Sequence, residues 1–265
     1  MARPMNTKQD PAAALVFRVE AGVARLRLNQ PERFNPLSRA VIQAFQDAVD
    51  AIADDPSVRV LVIEAAGRAF CAGHDLAEMR AHPDAAWQRG LFEACGRLMQ
   101  SMVDLPQPVI ARVQGVATAA GCQLVASCDL AVASEDARFA VSGVNLGLFC
   151  STPAVALSRK ISRGKALEML LTGAFIDAGT ACSEGLVNRV VPAAELDSAV
   201  DEYVDTLQRK PARVLALGKT LFNAQLDAPL DQAYSMAAAA MADNMMLSEA
   251  QDGIDAFLGR DRPAR

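Results

Sequence analysis

The chain has 265 residues, of which 52% are hydrophobic, and its formal net charge is -5. This length and composition allow one large domain, or one domain with a smaller appendage, and they exclude neither. The acidic balance, without a run of Lys or Arg, gives no reason to expect a nucleic-acid partner. No stretch approaches the roughly 18 apolar residues of a membrane-spanning helix, and residues 1–11 lack the apolar region of a signal peptide. We therefore expect a soluble, cytoplasmic protein without a membrane partner.

Cysteine and histidine usage limits disulfide and metal chemistry. The six cysteines form no C-x-x-C pair, and most have small apolar neighbours, which predicts reduced, buried thiols. The two histidines, His74 and His82, are not spaced i, i+4 as in a helical zinc motif. We expect no disulfide and no metal site.

The first hundred residues alternate between strand and helix patterns. The predicted elements are strands over 15–20 and 23–28, a helix over 35–54, a strand over 59–63 and a helix over 84–105. The first two strands flank Ala21-Gly22, which predicts a hairpin. A loop of small residues over 68–76 follows the third strand.

A second stretch of small residues lies between a predicted strand over 109–113 and a helix that begins at Gln123. Its members are Gly115, Ala117, Ala119, Ala120 and Gly121. Small residues at such a junction let a ligand approach the backbone, and the first N–H groups of a helix have no internal partner. This turn is suited to an anion or a polarised carbonyl oxygen. Tight packing of the helix against a sheet explains the same residues equally well.

The last half of the chain changes from a mixed pattern to an all-helical one. Strands are predicted over 130–133, 138–141 and 188–191, and helices over 152–159, 164–171, 177–184, 195–208, 213–226, 230–246 and 249–258. Thr152 and Pro153 are predicted as N-cap and first residue of their helix. The strand and helix spacing predicts an α/β fold. The Ala- and Met-rich residues 236–246 would expose apolar surface on an isolated helix, which favours a subunit interface.

Three segments together resemble the enoyl-CoA hydratase/isomerase, or crotonase, family. Residues 68–76, RAFCAGHDL, resemble its first oxyanion-hole segment, which combines a phenylalanine and small residues with A-G-x-D-L. Residues 113–129 resemble its second such segment, and residues 29–37 resemble the segment at its acyl-CoA entrance. The order and spacing match over about residues 15–260, which is far more specific than any single motif.

This resemblance implies a fold and an assembly. The fold is α/β, of the crotonase-like (ClpP/crotonase) type, in which β-β-α turns stack into a superhelix. We expect a flexible N-terminus over 1–14, a core with the acyl-CoA site over 15–192, and a helical oligomerisation region over 193–265. Family members build trimers, often paired into hexamers. The implied ligand is an acyl-CoA thioester, with no cofactor beyond its coenzyme A moiety.

The resemblance also implies site residues. One oxyanion amide belongs to the residue before the D of A-G-x-D, here His74, and the other to Ala120. Two such amides stabilise the charge that grows on the thioester oxygen as an enolate forms. The residues expected to line the thioester end are Ala72, Asp75, Leu76 and Ala77. Arg33 and Lys219 are candidate cations for the coenzyme A phosphates, although solvated surface positions explain both.

The chain departs from the family in the residues for proton transfer. Hydratases carry glutamates at two positions that are occupied here by Gln123 and Gly143. Water addition needs one group to activate water and another to protonate Cα. Because glutamine transfers no proton at neutral pH and glycine has no side chain, the usual acid and base are missing. Residues 142–160 resemble a branch of the family that also lacks both glutamates.

Three functions remain open at this point. The chain is nominally an enoyl-CoA hydratase with another proton-transfer group, a non-catalytic acyl-CoA-binding or assembly protein, or an enzyme of another CoA-thioester reaction such as isomerisation or hydrolysis. Candidate proton-transfer groups are the His74 side chain, Asp75, Glu93 and Cys150. Imidazole titrates near neutrality, which favours His74.

Overall fold

The computed structural model describes residues 13–259, so the predicted flexible segment 1–14 lies almost wholly outside the described residues. The strands of this part of the chain are β1 (Leu15–Glu20), β2 (Val23–Leu28), β3 (Val60–Ala65), β4 (Ala69–Cys71), β5 (Val109–Val113), β6 (Val116–Thr118), β7 (Leu130–Ser134), β8 (Arg138–Ala140), β9 (Ile176–Asp177) and β10 (Arg189–Val191). Its α-helices are α1 (Arg39–Ala53), α2 (Leu76–Ala81), α3 (Ala85–Asp104), α4 (Ala120–Ala126), α5 (Ser151–Lys160), α6 (Arg163–Thr172), α7 (Ala178–Ser183), α8 (Leu196–Gln208), α9 (Ala212–Gln225), α10 (Leu230–Met245) and α11 (Ser248–Phe257).

Two sheets carry the fold. The larger has the strand order β1-β2-β3-β5-β7-β10, and the smaller has the order β4-β6-β8-β9. The hairpin β1-β2 and the pair β8-β9 are antiparallel, and the remaining pairs are parallel. The successive turns of chain therefore alternate between the two sheets, so that β4 and β6 follow β3 and β5 in a second layer.

Alternation along β3 explains why the larger sheet is covered on both faces. Leu61 and Ile63 belong to the main core, whereas Val60 and Val62 pack with the α8 side chains of a second, smaller cluster. Successive side chains of a strand point to opposite faces, so an uninterrupted apolar run requires a cover on each side. This burial fixes β3 and β5 in place, and it therefore also fixes where the loops that follow them begin.

Several predicted boundaries differ from the structure. Helix α1 begins at Arg39 rather than residue 35, because Asn35 has a positive φ of 55° and the Ser38 side chain caps the helix. Helix α5 begins at Ser151 with Cys150 at its N-cap position, so the predicted Thr152 cap is wrong. Helix α4 begins at Ala120, three residues before the predicted start. The short elements β6, β9 and α2 had no prediction, and β4 lies within the segment predicted as a loop over 68–76.

Helices α9, α10 and α11 bury none of their residues in the isolated chain. Their exposed apolar side chains include Phe222, Tyr234, Met241 and Phe257. A set of large apolar side chains in water is unfavourable for a lone chain. Across residues 13–259, no helix has the length and apolarity needed to cross a bilayer.

All six cysteines are free thiols, and five of them are buried. The predicted burial is confirmed for five of them, whereas Cys182 is only partly buried. Within residues 13–259, no group of three or more His, Cys, Asp or Glu side chains is arranged to hold a metal ion.

Candidate active site

The loop after β4 is fixed by hydrogen bonds to the predicted entrance segment. The Ala72 amide donates to the Phe34 carbonyl at 2.9 Å, the Leu37 amide to Gly73 at 2.8 Å, and the Asp75 amide to Leu37 at 3.3 Å. These bonds extend over four consecutive loop residues. Two segments that the sequence separates by more than thirty residues therefore form one unit.

Asn35 is the residue that holds this unit to the sheet. Its side chain is buried, and its Nδ2 donates to the carbonyls of Ala66 and Ala69, both at 2.9 Å. Its Oδ1 accepts from the Gln30 amide at 2.8 Å. Asparagine tolerates the left-handed backbone found here better than most residues. Sequence reasoning gave Asn35 no such role, although it lies within the entrance segment.

Gly73 brings this unit against the start of α4. A Cβ at Gly73 would lie 2.9 Å from the Ala119 Cβ and 3.2 Å from the Ala120 backbone nitrogen. Gly73 also has a φ of 95°, which a residue with a side chain rarely adopts. A glycine is thus required for the two small-residue loops to meet.

Ala119 adopts a strained conformation at this junction. Its φ is 52° and its ψ is -120°, and its amide donates to Ala140 on β8 at 2.9 Å. Such a backbone costs on the order of 1–3 kcal/mol, and strain of this kind often occurs at functional sites. The conformation turns the chain so that α4 begins beside Gly73.

Two backbone amides beside this junction have no intramolecular acceptor. Within residues 13–259, neither the His74 N–H nor the Ala120 N–H donates a hydrogen bond to another residue. Ala120 is the first residue of α4, where an N–H has no partner in its own helix. The structure therefore brings the two predicted oxyanion residues to the same junction.

The small residues also serve tight packing. A Cβ at Gly121 would overlap the Cys71 carbonyl, and a Cβ at Gly115 would overlap the Arg68 carbonyl. At Gly115 and Gly121 the structure supports the packing explanation that the sequence left open. Gly115 and Gly121 permit packing, and Gly73 permits the approach of the two free amides.

The His74 side chain is largely buried and neutral. Its ring meets the Phe92 ring edge-on with centroids 5.3 Å apart, and its Nε2 is buried without a hydrogen-bond partner among the described residues. Burial lowers the pKa of His74 from 6.5 to about 4. At neutral pH this imidazole can therefore accept or donate a hydrogen bond as a neutral group.

Asp75 has a structural role that sequence reasoning missed. Its Oδ1 caps α2 by accepting from the amides of Ala77 at 3.1 Å and Glu78 at 3.2 Å, and its Oδ2 pairs with Arg33 at 2.7 Å. Burial by itself would raise the pKa of Asp75, but the Arg33 guanidinium and these amides outweigh it and hold the pKa below its usual value. This carboxylate is poorly suited to proton transfer. Leu76 and Ala77 are exposed beside it.

The two predicted phosphate-binding cations differ in accessibility. Arg33 remains half-exposed despite its pairing with Asp75. Lys219 lies on α9 with only 10% of its side chain exposed, and its Nζ donates to Asp129 Oδ2 at 2.7 Å and to the carbonyls of Met102 and Gln107 at 3.0 and 3.1 Å. These contacts use all three donors of an ammonium group. Lys219 therefore does not fit the predicted phosphate contact.

Glu93 does not share the environment of its neighbour Phe92. Its side chain is exposed on α3, whereas Phe92 contacts His74. Consecutive residues of a helix point in directions about 100° apart. Glu93 consequently does not share the contact with His74 by which Phe92 links α3 to the amide junction.

Gln123 and Gly143, the positions of the two missing glutamates, have different surroundings. Gln123 is buried on α4, and its Oε1 has no hydrogen-bond partner among the described residues. A Cβ at Gly143 would lie 2.5 Å from the Leu148 carbonyl oxygen and 2.8 Å from Cys150 Sγ. The Gly143 position thus has no room for a side chain without a backbone shift.

The Cys150 thiol lies where a side chain at Gly143 would begin. Burial raises the pKa of Cys150, and the hydrogen bond from the Gly143 amide to the sulfur opposes this only in part. The thiol therefore stays protonated at neutral pH, which makes it unsuitable as a general base.

Comparison with known proteins places these features in context. Residues 18–264 match the family model described as enoyl-CoA hydratase/isomerase. The chain is 42% identical to enoyl-CoA hydratase domain-containing protein 3, mitochondrial, of Danio rerio, over 98% of this chain and 90% of that protein. This similarity confirms the branch predicted from residues 142–160.

Solved structures show the same fold. An enoyl-CoA hydratase of Mycobacterium smegmatis superposes with a TM-score of 0.92 at 51% identity, covering 95% of this chain and 98% of that chain. Human enoyl-CoA hydratase domain-containing protein 3 superposes with a TM-score of 0.91 at 42% identity, covering 96% and 100%. The predicted crotonase-like α/β fold is confirmed.

The predicted cytoplasmic location is wrong on this comparison. It rested on the lack of a signal-peptide region in residues 1–11 and of a membrane-spanning stretch, whereas the Danio rerio, Xenopus laevis and Homo sapiens relatives are all named as mitochondrial proteins.

Proposed function

The chain belongs to the enoyl-CoA hydratase/isomerase family, and on this premise we propose that it binds acyl-CoA thioesters with the thioester oxygen between the amides of His74 and Ala120. The observation that carries the proposal is the contact of Gly73 with Ala119 and Ala120, which brings two unpartnered N–H groups to one junction. Preorganised donors stabilise an enolate oxygen without reorganisation during the reaction.

The site supports enolate stabilisation better than proton transfer. Gln123 holds no transferable proton, and Leu148 and Cys150 occupy the space beside Gly143. The nominal reaction, hydration of a 2-enoyl-CoA, therefore proceeds slowly. A non-catalytic acyl-CoA-binding role is the second candidate. The atoms packed around Gly143 leave no space for a carboxylate side chain at this position.

Isomerisation or hydrolysis of a CoA thioester requires fewer proton-transfer groups. Of the four candidates, Asp75 is bound to Arg33, Glu93 is exposed and Cys150 is a protonated thiol. The neutral His74 imidazole is the candidate that best fits a single-base reaction. None of these reactions requires a metal or a cofactor beyond the coenzyme A moiety, and half-exposed Arg33 is our candidate for its phosphates.

We further propose that the protein assembles as a trimer or hexamer through α9, α10 and α11. The exposed apolar side chains of these helices support this assembly. Burial of such side chains between subunits is favourable by roughly 25 cal/mol per Å² of apolar surface.

Binding and turnover are tested separately. Acetoacetyl-CoA added to the protein should give heat in a calorimeter and an increase in enolate absorbance, because the two amides favour the enolate. Absence of both effects, with no competition by other thioesters, contradicts the proposed site.

Crotonyl-CoA hydration, followed by loss of the conjugated enoyl absorbance, should be slower than in a two-glutamate relative by several orders of magnitude. Each general acid or base typically contributes about 10²- to 10⁴-fold. Fast hydration would show that another residue supplies the proton chemistry.

A further inference from the structure

Three parallel strands of the smaller sheet end beside one another at the amide junction. Strands β4, β6 and β8 are neighbours in this order, and both pairs are parallel. The loop after β4 carries the His74 amide, α4 begins with Ala120 after β6, and Ser142 follows β8. Because the carboxyl ends of parallel strands lie at the same edge of a sheet, the third loop reaches the edge that holds the two free amides.

A pair of hydroxyl groups joins the second and third of these loops. The Oγ1 atom of Thr118, the last residue of β6, lies 3.0 Å from the Oγ atom of Ser142. Both residues are partly exposed. Within residues 13–259, neither hydroxyl has a hydrogen-bond partner other than its neighbour in this pair.

The backbone of Thr118 lies next to one of the free amides. A Cβ at Gly73 would be 3.1 Å from the Thr118 carbonyl oxygen and 3.2 Å from the Ala120 nitrogen. The Ala119 amide between them donates to Ala140 at 2.9 Å, which ties β6 to the end of β8. The hydroxyl pair is therefore built into the same three-loop edge as the amides.

The pair also adjoins a position that lacks a carboxylate. Ser142 directly precedes Gly143, where Leu148 and Cys150 occupy the space of a side chain. Gln123, at the other such position, has no proton to transfer at neutral pH. Thr118 and Ser142 thus offer transferable protons beside a site from which the usual acid and base are missing.

Two hydrogen-bonded hydroxyls can move a proton without becoming charged. One hydroxyl donates to the other, and the hydroxyl that accepts keeps its own proton for a third group. The pair can therefore take up a proton at one end while it releases another from the opposite end. Positioned side chains and chains of hydrogen-bonded groups both act in proton transfer in enzymes.

We infer that Thr118 and Ser142 form a neutral proton relay for the slow addition of water to a 2-enoyl-CoA thioester. The inference rests on the proposed function, because the thioester oxygen must lie between the two amides. The water oxygen forms a bond to Cβ, and the electron pair of the Cα–Cβ double bond moves towards the thioester oxygen as an enolate. One hydroxyl takes a proton from this water, a proton crosses the pair, and the other hydroxyl gives its proton to Cα as the enolate electrons form the C–H bond. Both hydroxyls end with one proton each, and the product is a 3-hydroxyacyl thioester.

The test compares the wild type with Thr118→Val, which keeps the branched shape and removes the hydroxyl. Crotonyl-CoA hydration is followed for hours by loss of the enoyl absorbance, beside a sample without protein. The wild type should exceed the sample without protein, and Thr118→Val should lower kcat by about tenfold or more. Calorimetric affinity for butyryl-CoA should stay unchanged, because this ligand takes up no water. Thr118→Ser retains a hydroxyl and should keep most of the wild-type rate.

Solvent deuterium separates a relay from a structural role. Several protons move together in the relay, so the wild-type rate should depend on the deuterium fraction of the solvent along a curve. The residual rate of Thr118→Val should lose this curvature. Ser142→Ala should give the same two changes, and it provides a second measurement if Thr118→Val does not fold.

Ser101→Ala is the matched control. Its hydroxyl is also part of a partly buried contact between side chains, since it accepts from Gln46 Nε2 at 2.9 Å, but it lies on α3 nine residues beyond Phe92. This variant should keep the wild-type rate and the curved dependence on deuterium.

A wild-type rate equal to that of the sample without protein would overturn the relay, and butyryl-CoA binding in the same preparation would leave the acyl-CoA site standing. Unchanged kcat and curvature in folded Thr118→Val or Ser142→Ala would also overturn it. Failure of both thioesters to bind would reject the proposed function, and the relay with it.

Discussion

Gly143 is the residue whose packing bears most directly on hydration. A Cβ there would meet the Leu148 carbonyl and the Cys150 sulfur at 2.5 and 2.8 Å. We predict that Gly143→Ala lowers the free energy of unfolding by about 1–3 kcal/mol through overpacking. Gly96→Ala is the control, because no atom lies within 4 Å of its added Cβ. Removing a glycine from the interior of α3 should stabilise the protein by roughly 0.5–1 kcal/mol. Urea unfolding measures both.

The same packing predicts the result of restoring the carboxylates. Gln123→Glu alone should recover little hydration of crotonyl-CoA, because groups that act on one water are not additive. The double variant, which adds Gly143→Glu, should also hydrate crotonyl-CoA slowly, since the new side chain displaces the backbone around Leu148. Rapid hydration by the folded double variant would show that this loop rearranges at little cost.

His74 gives a pH-dependent contribution to stability. Its pKa is about 4 in the folded chain against an ordinary value of 6.5, so the unfolded chain binds more protons between these values. Stability should consequently fall as the pH decreases from 6.5 towards 4. At about pH 5, His74 should account for a loss of about 2 kcal/mol in the free energy of unfolding.

His74→Phe isolates this contribution, because phenylalanine does not titrate and keeps the backbone amide. Urea unfolding of both proteins at about pH 7.5 and about pH 5 gives the difference, which cancels the titration of the carboxylates they share. An identical loss of stability in wild type and variant would mean that His74 is readily protonated in the folded protein.

At the scale of elements, α9 is attached to the core by polar contacts. Lys219 spans from this helix to Asp129 and to the carbonyls that end α3 and precede β5. Nearby, Asn223 Nδ2 donates to the Val103 carbonyl at 3.2 Å. A helix without a fully buried residue in the isolated subunit thus acquires a defined position through these donors.

We predict that Lys219→Met lowers the free energy of unfolding by about 1–3 kcal/mol, because it leaves partly buried acceptors without their donor. Lys210→Met, at an exposed position, should change it by less than about 0.5 kcal/mol. Coenzyme A affinity of the folded Lys219→Met protein should equal that of the wild type. A selective loss of affinity, with stability unchanged, would restore Lys219 as a phosphate contact.

At the scale of the whole molecule, the exposed apolar side chains of α9, α10 and α11 predict association. Sedimentation velocity at micromolar concentration should show a trimer or a hexamer. The side chains of Phe257 and Tyr234 are 88% and 71% exposed in the isolated chain, and a subunit interface would bury them. A stable monomer in this experiment would contradict the proposed assembly.

The sequence by itself determined the local elements and the identity of the site segments. The hairpin β1-β2 and strand β5 have the predicted bounds, because alternation and uninterrupted apolar runs are local signals of burial. The A-G-x-D-L and small-residue motifs identified the two loops that meet at Gly73. These features depend on residues that are close together in the chain.

Only the tertiary structure decided the roles of individual polar groups. Asp75 and Lys219 looked available for chemistry or ligand binding, but their partners Arg33 and Asp129 lie 42 and 90 residues away in the sequence. The space at Gly143 is set by a more local contact, because a turn brings the Leu148 carbonyl and the Cys150 thiol back onto it. Whether a charged residue such as Asp75 or Lys219 is free depends on what packs against it, and for these two residues that is fixed by contacts between distant segments.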